Sequence, residues 1–163
     1  MNSKESCDRL EEIIASVGCA VVQGTGTSML PLIRNSTDRM LITAKKDRTP
    51  ARPAIAVYRR GDRLIAHRIL GTDPDGTLRI RGDNQLRWEH VSPDEVIGTV
   101  EGVYRGERYL DFAVDKKSRF LRRLWCSPLF PRPLLLPFLR RLSPLYRREA
   151  AYARAQRAEK ENG

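Results

Sequence analysis

The sequence predicts a mainly β domain, a compact antiparallel barrel or coiled sheet, with one helix before it and a basic helical tail after it. Between residues 20 and 115, short runs rich in Val, Ile, Leu and Tyr alternate with turns containing Gly, Asp and Pro. This spacing is typical of antiparallel sheets and barrels. Beyond Asp115 prolines become frequent and basic residues dominate, which indicates a separate tail.

The chain divides into three predicted segments: 1–19, 20–115 and 116–163. In the first segment, apolar residues recur at helical spacing over 3–17, and Gly18 ends the pattern. In the second, runs that favour strands lie at 19–22, 39–43, 54–58, 63–70, 77–81, 96–104 and 108–112. In the third, prolines divide the predicted helices into 116–126, 133–142 and 144–160.

The composition is that of a single globular domain without a disulfide framework or a zinc site. The chain has 163 residues, enough for one domain with its own core, and its 31% of charged residues is ordinary for a globular fold. Its three cysteines are widely spaced and form no CxxC pair, which gives no basis for a disulfide framework or a zinc site. We therefore expect no metal and no cofactor, and a reducing compartment.

The net charge of +10 is concentrated in the tail. From Ser118 onward, eleven Lys and Arg against three Asp and Glu give +8, so the preceding residues carry only +2. Residues 118–148 alternate Trp, Phe and Leu with arginines, as in helices that lie on anionic membranes. The same pattern is typical of helices that pack back onto the domain. Sequence-specific nucleic-acid binding is not expected, because too few residues precede the first strand for a helix-turn-helix unit.

No targeting or membrane-spanning segment is predicted. The N-terminal residues lack a basic region before their short apolar stretch, and no run approaches the roughly 20 apolar residues that cross a bilayer. We expect a cytoplasmic protein, either free or bound peripherally at the inner face of the membrane.

A first candidate site is the turn from Gly26 to Pro31, which contains Thr27, Ser28 and Met29. A serine becomes a nucleophile when a constrained turn exposes its hydroxyl beside a base and near backbone N–H donors. Glycine before the serine permits such a turn. Considered alone, a Gly/Thr/Ser segment between strands is usually only a turn.

A second candidate is His67, which strand alternation places on the same face as Ile65 and Ile69. Its pKa near 6.5 suits a general base, although a histidine on a core-facing side is also typical of a hydrogen-bonded structural residue. His90 lies in a polar stretch and is expected at the surface. Lys45 and Lys46 lie in a charged loop, where a lysine stays protonated.

A third candidate is Asp83, within Arg81-Gly82-Asp83-Asn84. Its composition fits a turn that an aspartate caps, and it also fits the third member of a nucleophile, base and orienting acid.

Taken in order, GTSMLP, AHRI, RGDN and VIGTV resemble the signature blocks of the signal peptidase and LexA group of serine peptidases (S24/S26). The resemblance covers roughly residues 20–104 and implies a small, coiled, mainly antiparallel β barrel. It implies that Ser28 is the nucleophile and that His67, 39 residues further on, stands at the position of the group's catalytic lysine or histidine. It also implies that Asp83 matches the acidic residue that members with a catalytic histidine use. It also implies that an extended peptide substrate pairs with an exposed sheet edge.

The chain departs from this group before the serine. Members commonly have glycine just before the nucleophile and a hydroxyl residue two before it, whereas this chain has Thr27 and Gly26. We expect the Ser28 backbone N–H to be one oxyanion donor, with Thr25 or Thr27 as its substitute partner. Met29 and Gly26 complete the predicted substrate-binding turn.

The predicted function is that of a serine endopeptidase with a Ser28–His67 dyad acting on a peptide or protein. One alternative is an inactive peptidase-like module that binds a peptide or a partner protein. Another is a self-cleaving regulator, for which Gly18-Cys19 is the nearby bond that resembles a cleavage site, in reverse order.

Overall fold

In the part of the chain that the structure describes, eight strands pair antiparallel into one continuous sheet, which one α-helix precedes and three α-helices follow. The computed structural model describes residues 3–45, 53–127 and 131–161. The elements in chain order are α1 (Ser3–Val17), β1 (Cys19–Gln23), β2 (Asp38–Ala44), β3 (Ile55–Arg60), β4 (Arg63–Thr72), β5 (Leu78–Arg81), β6 (Glu89–Val91), β7 (Val96–Arg105), β8 (Arg108–Asp111), α2 (Lys116–Cys126), α3 (Arg132–Leu142) and α4 (Pro144–Glu161).

The strand order is β1-β2-β7-β3-β4-β5-β6, and β8 pairs with β7 outside this path. Within the described part of the chain, β1 and β6 each pair with one neighbour only, so the sheet stays open. The prediction of a mainly antiparallel β fold is confirmed. The sheet is open and does not form the expected barrel, because no hydrogen bonds join the two end strands of the described sheet.

Irregular pairing bends the sheet at three places. The register shifts where β2 meets β7, where β3 meets β7, and between Ile69 and Gly71 where β4 meets β5. A bulge of this kind adds local twist and redirects the side chains beyond it. The third shift follows directly after the segment that contains His67.

The hairpin of β3 and β4 brings the second candidate site into the interior. Its two strands meet at a turn in which Gly61 has φ +57°, a left-handed conformation that glycine adopts without steric cost. The register pairs His67 with Ala56. Tyr58, two residues along β3, therefore lies on the same face of the sheet as His67.

Two groups of buried apolar side chains stabilise the sheet. One joins α1 to the turn after β1 and to strands β1, β2, β3 and β7, and it includes Ile14, Met29, Leu32, Ile42 and Val103. The other lies among β3 to β7 and includes Tyr58, Ile69, Leu78, Ile80 and Val91. The candidate serine and histidine segments thus lie beside rigid, close-packed interior.

The C-terminal helices agree closely with their predicted bounds, and part of their apolar surface packs against the domain. Trp125 is buried and donates from Nε1 to the Asp83 carbonyl at 2.6 Å. Glu149 is buried and accepts from the Ser36 hydroxyl and backbone N–H. Leu136 is buried as well, whereas four large apolar side chains of α2 and α3 are exposed: Phe120, Leu134, Phe138 and Leu142. No helix in the described ranges is both long and apolar enough to cross a membrane.

Candidate functional site

Ser28 lies in a turn whose neighbouring apolar residues are packed in the core. Met29 and Leu30 are buried, while Ser28 and Thr27 are only partly covered. The Ile33 N–H donates to the Met29 carbonyl at 3.0 Å, and the Leu30–Pro31 peptide bond is cis. Met29, predicted to contact substrate, instead packs its side chain into the core, so it anchors the turn.

The turn at Gly82–Asn84 packs directly on the Ser28 turn. The Asn84 backbone N–H donates to the Ser28 carbonyl at 2.6 Å, and its side-chain amide donates to the Thr27 carbonyl at 3.0 Å. A Cβ on Gly82 would lie 2.8 Å from the Ser28 backbone carbonyl oxygen and 3.1 Å from the Ser28 Cβ. Glycine is therefore required here, because any side chain would separate the two turns.

Asp83 joins this turn to the strand that carries His67. Both of its oxygens accept from Arg68, at 2.8 and 2.6 Å, and both side chains are almost fully buried. The predicted hydrogen bond from Asp83 to His67 is thus replaced by a bidentate pair with the next residue. Guanidinium and carboxylate match each other in this planar geometry, whereas an imidazole offers only one donor to the carboxylate.

His67 is oriented by Glu89 and Tyr58. The imidazole is 4% exposed, and its Nδ1 lies 2.9 Å from Glu89 Oε1 and 3.1 Å from the Tyr58 hydroxyl oxygen. The Tyr58 hydroxyl itself donates to Glu89 Oε2 at 2.8 Å. Burial raises the pKa of Tyr58 well above its usual value, and the bond to Glu89 raises it further, so the hydroxyl keeps its proton.

This arrangement fixes the tautomer of His67. Because the Tyr58 proton points to Glu89, the proton shared between His67 and Glu89 is carried by Nδ1. Nε2 then holds a lone pair, and no hydrogen bond in the described part of the chain occupies it. Burial lowers the pKa of His67 below 6.5, while the charges of Glu89 and Asp83 partly oppose this shift. The imidazole is therefore neutral at pH 7 and can accept a proton.

The backbone of the serine turn retains a free donor. Within the described residues, no hydrogen bond uses the Ser28 backbone N–H, the first predicted oxyanion donor. Thr25 and Gly26 are exposed, and Thr27 is partly covered. The predicted substitution of a threonine hydroxyl for the second donor stays a prediction.

The tail contacts the same turn from the other side. Arg140 donates from Nε to the Asn84 side-chain oxygen at 2.9 Å and from Nη2 to the Asn84 carbonyl. Since Asn84 also bonds to Thr27 and Ser28, an arginine of α3 is two hydrogen bonds away from the candidate nucleophile. No motif or spacing in the sequence indicates this contact.

The other basic candidates lie elsewhere. His90 is exposed, with Nε2 3.5 Å from Asp73, in agreement with its predicted surface position. Lys45 donates to the Pro93 carbonyl at 2.8 Å, and Lys46 lies outside the described residues.

Two residues of the site, Tyr58 and Glu89, were not predicted. The hairpin register could have identified Tyr58, because it places this residue diagonally across from His67. Glu89 lies on β6, a strand too short and polar to be predicted, and it reaches the site only because β6 pairs with β5.

Comparisons of the chain with protein-family models, curated proteins and solved structures found no match.

Proposed function

We propose that the protein is a serine endopeptidase of the signal peptidase and LexA type, with Ser28 as nucleophile and His67 as general base. The observation that carries the proposal is the position of the Gly82–Asn84 turn. Asn84 of this turn is hydrogen-bonded to the Ser28 carbonyl, and Asp83 forms an ion pair with Arg68, the residue after His67. Two segments far apart in the sequence thereby flank one turn.

The reaction follows from the protonation states. Ser28 Oγ attacks the scissile carbonyl carbon, forming a C–O bond, while its proton passes to His67 Nε2. Nε2 then returns this proton to the leaving amine as the C–N bond breaks. Water hydrolyses the acyl-enzyme in the same way and restores the Ser28 hydroxyl.

Glu89 takes the role that the resemblance gives to Asp83. Its hydrogen bond holds Nδ1 protonated and stabilises the imidazolium that forms in each step. Asp83 acts on the base through its charge and through Arg68. The free Ser28 N–H is available to the developing oxyanion.

A fluorophosphonate probe tests this proposal without a known substrate, because activated serines displace its fluoride and become phosphonylated. We expect labelling at pH 7.5 that mass spectrometry maps to Ser28. Ser28→Ala and His67→Ala should remove it, and Ser16→Ala, an exposed helical serine, should retain it. Absence of Ser28 labelling in the folded wild-type protein would contradict the proposal and favour the inactive peptide-binding alternative.

The exposed apolar side chains of the tail support a second proposal, peripheral attachment to anionic lipid. Leu134, Phe138 and Leu142 are spaced four residues apart on α3 and therefore form one stripe, next to the exposed Arg141. Basic residues near an anionic surface each contribute about 1 kcal/mol. We expect co-sedimentation with phosphatidylglycerol vesicles, which Phe138→Ser weakens and Val17→Ser, an exposed apolar control on α1, does not. Equal loss with both variants would contradict this proposal.

A further inference from the structure

An open cleft of about 860 Å³ begins at the residue that holds His67. Glu89 forms part of its wall, and the same carboxylate bonds to the imidazole. Gln85, at the other end of the stretch of chain that lines the cleft, packs beside Gly82. A Cβ on Gly82 would contact both Gln85 Oε1 and the Ser28 Cβ. The lining of the cleft thus includes Glu89, which contacts the base, and Gln85, which packs beside the Ser28 turn.

The cleft carries uncompensated positive charge. Three arginines line it, Arg60, Arg87 and Arg140, against the single carboxylate of Glu89. Glu89 is already engaged by Tyr58 and His67, and Arg60 Nε lies 3.9 Å from it. Arg140 bonds only to neutral oxygens of Asn84, and Arg87 forms no ion pair within the described residues. Two guanidinium groups thus face the cleft without an anion.

Apolar surface lies between these charges. Leu86 and Trp88 flank Arg87 in sequence, and each is 43% exposed. The Arg81 guanidinium lies 4.0 Å from the centroid of the Trp88 ring and restricts its rotation. A fixed, half-exposed indole beside arginines is suited to a ligand that carries both apolar and negative groups.

We propose that this cleft binds the segment of a peptide substrate next to the scissile bond, and that it selects acidic residues with an apolar neighbour. The inference rests on the proposed function for the location of that bond. A peptide is favoured over a nucleic acid because the cleft adjoins the base and because β6, which forms its wall, is an end strand of the described sheet. An extended peptide can add to such a strand.

Fluorescence polarisation with full-length Ser28→Ala protein tests the inference apart from catalysis. The probes are short fluorescein-labelled peptides of Glu, Leu and Ala, with Gln or Lys in place of Glu in matched versions. We expect the Glu peptide to bind about tenfold more tightly than the Gln peptide, and the Lys peptide to bind least. Arg87→Glu should remove this preference, whereas Arg154→Glu, an exposed reversal on α4, should preserve it.

Equal affinity for the Glu and Lys peptides would overturn the inference, as would an equal effect of both arginine variants. Displacement of the Glu peptide by oligothymidylate at lower concentration than by unlabelled Glu peptide would overturn it in favour of nucleic acid. Fluorophosphonate labelling of the wild type reports separately on the proposed function. Selective binding of the Glu peptide without fluorophosphonate labelling would support the inference about the cleft and contradict the proposed peptidase function. Labelling without peptide selectivity would support the peptidase function and contradict the inference about the cleft.

Discussion

Glu89 Oε1 and His67 Nδ1 lie 2.9 Å apart, and the imidazole of His67 is almost fully buried. A histidine that is buried for structural reasons normally has a hydrogen-bond partner at both ring nitrogens. Here a carboxylate engages Nδ1, a tyrosine hydroxyl completes the contact, and Nε2 is left for a proton. This is the arrangement that a general base requires.

Replacing Glu89 tests its orienting role. Glu89→Gln keeps the size of the side chain but removes the charge that stabilises the imidazolium, so we expect fluorophosphonate labelling of Ser28 to slow by about 10²-fold or more. Glu107→Gln, in an exposed turn, should leave the rate unchanged. A rate for Glu89→Gln equal to that of Glu107→Gln would contradict the role given to Glu89.

The rate of fluorophosphonate labelling should depend on the protonation of His67. Burial lowers its pKa below 6.5, and only the neutral form accepts a proton, so the rate should rise with a midpoint below pH 6.5 and level off by pH 7. Because the negative charge of Glu89 raises this pKa, Glu89→Gln should move the midpoint to lower pH. A midpoint at or above pH 7, measured from labelling rates between pH 4.5 and 8.5, would contradict the account.

The same shift predicts a pH dependence of stability. The folded pKa of His67 lies below the unfolded value of about 6.5, so the unfolded chain binds more protons between the two values. This contribution to stability is complete above pH 6.5 and is lost as the pH falls through the unfolded pKa toward the folded one. Urea denaturation at pH 7.5 and 5.5 should show a smaller difference for His67→Gln than for the control His90→Gln.

Asp83 is expected to act on stability more than on the imidazole. Asp83→Asn leaves the buried Arg68 without its counter-ion and should cost about 3–5 kcal/mol. Asp73→Asn, which breaks the more exposed pair with Arg79, should cost about 1 kcal/mol or less. Urea denaturation measures both, and equal losses would contradict the structural role. Should Asp83→Asn not fold, the double variant Arg68→Met/Asp83→Leu should recover folding, because it removes both charges.

Gly82 provides the close approach of the two turns. Gly82→Ala would place a methyl group 2.8 Å from the Ser28 carbonyl oxygen, so the serine turn must shift. We expect fluorophosphonate labelling of the folded variant to slow by about tenfold or more, since small displacements of a nucleophile lower its rate strongly. Labelling of Gly82→Ala at the wild-type rate would show that the contact does not position Ser28.

Local signals in the sequence predicted most of the elements. Prolines and an aspartate cap set the bounds of α2 at 116–126 within the tail, and the Gly61-Asp62 turn set the β3–β4 hairpin. These features depend on residues adjacent in the chain. The partner of His67 could not be predicted in this way, because Glu89 reaches it only through the pairing of β5 with β6.

Competition between partners explains the difference at Asp83. Its place in the order of the motifs fits an orienting acid, but Arg68, the residue after His67 on β4, binds both of its oxygens at once. Which of two adjacent basic residues binds an acid depends on side-chain direction and burial. Neither can be derived from the order of the motifs.

The most direct measurement is an experimental structure of the wild-type protein with the fluorophosphonate adduct, accompanied by the free form. We expect phosphorus bonded to Ser28 Oγ, its oxygen near the Ser28 N–H, and a separation in the free form between Ser28 Oγ and His67 Nε2 near the hydrogen-bonding range of about 2.6–3.2 Å. An adduct on another residue, or an imidazole that no rotamer brings within reach of Ser28, would contradict the assignment.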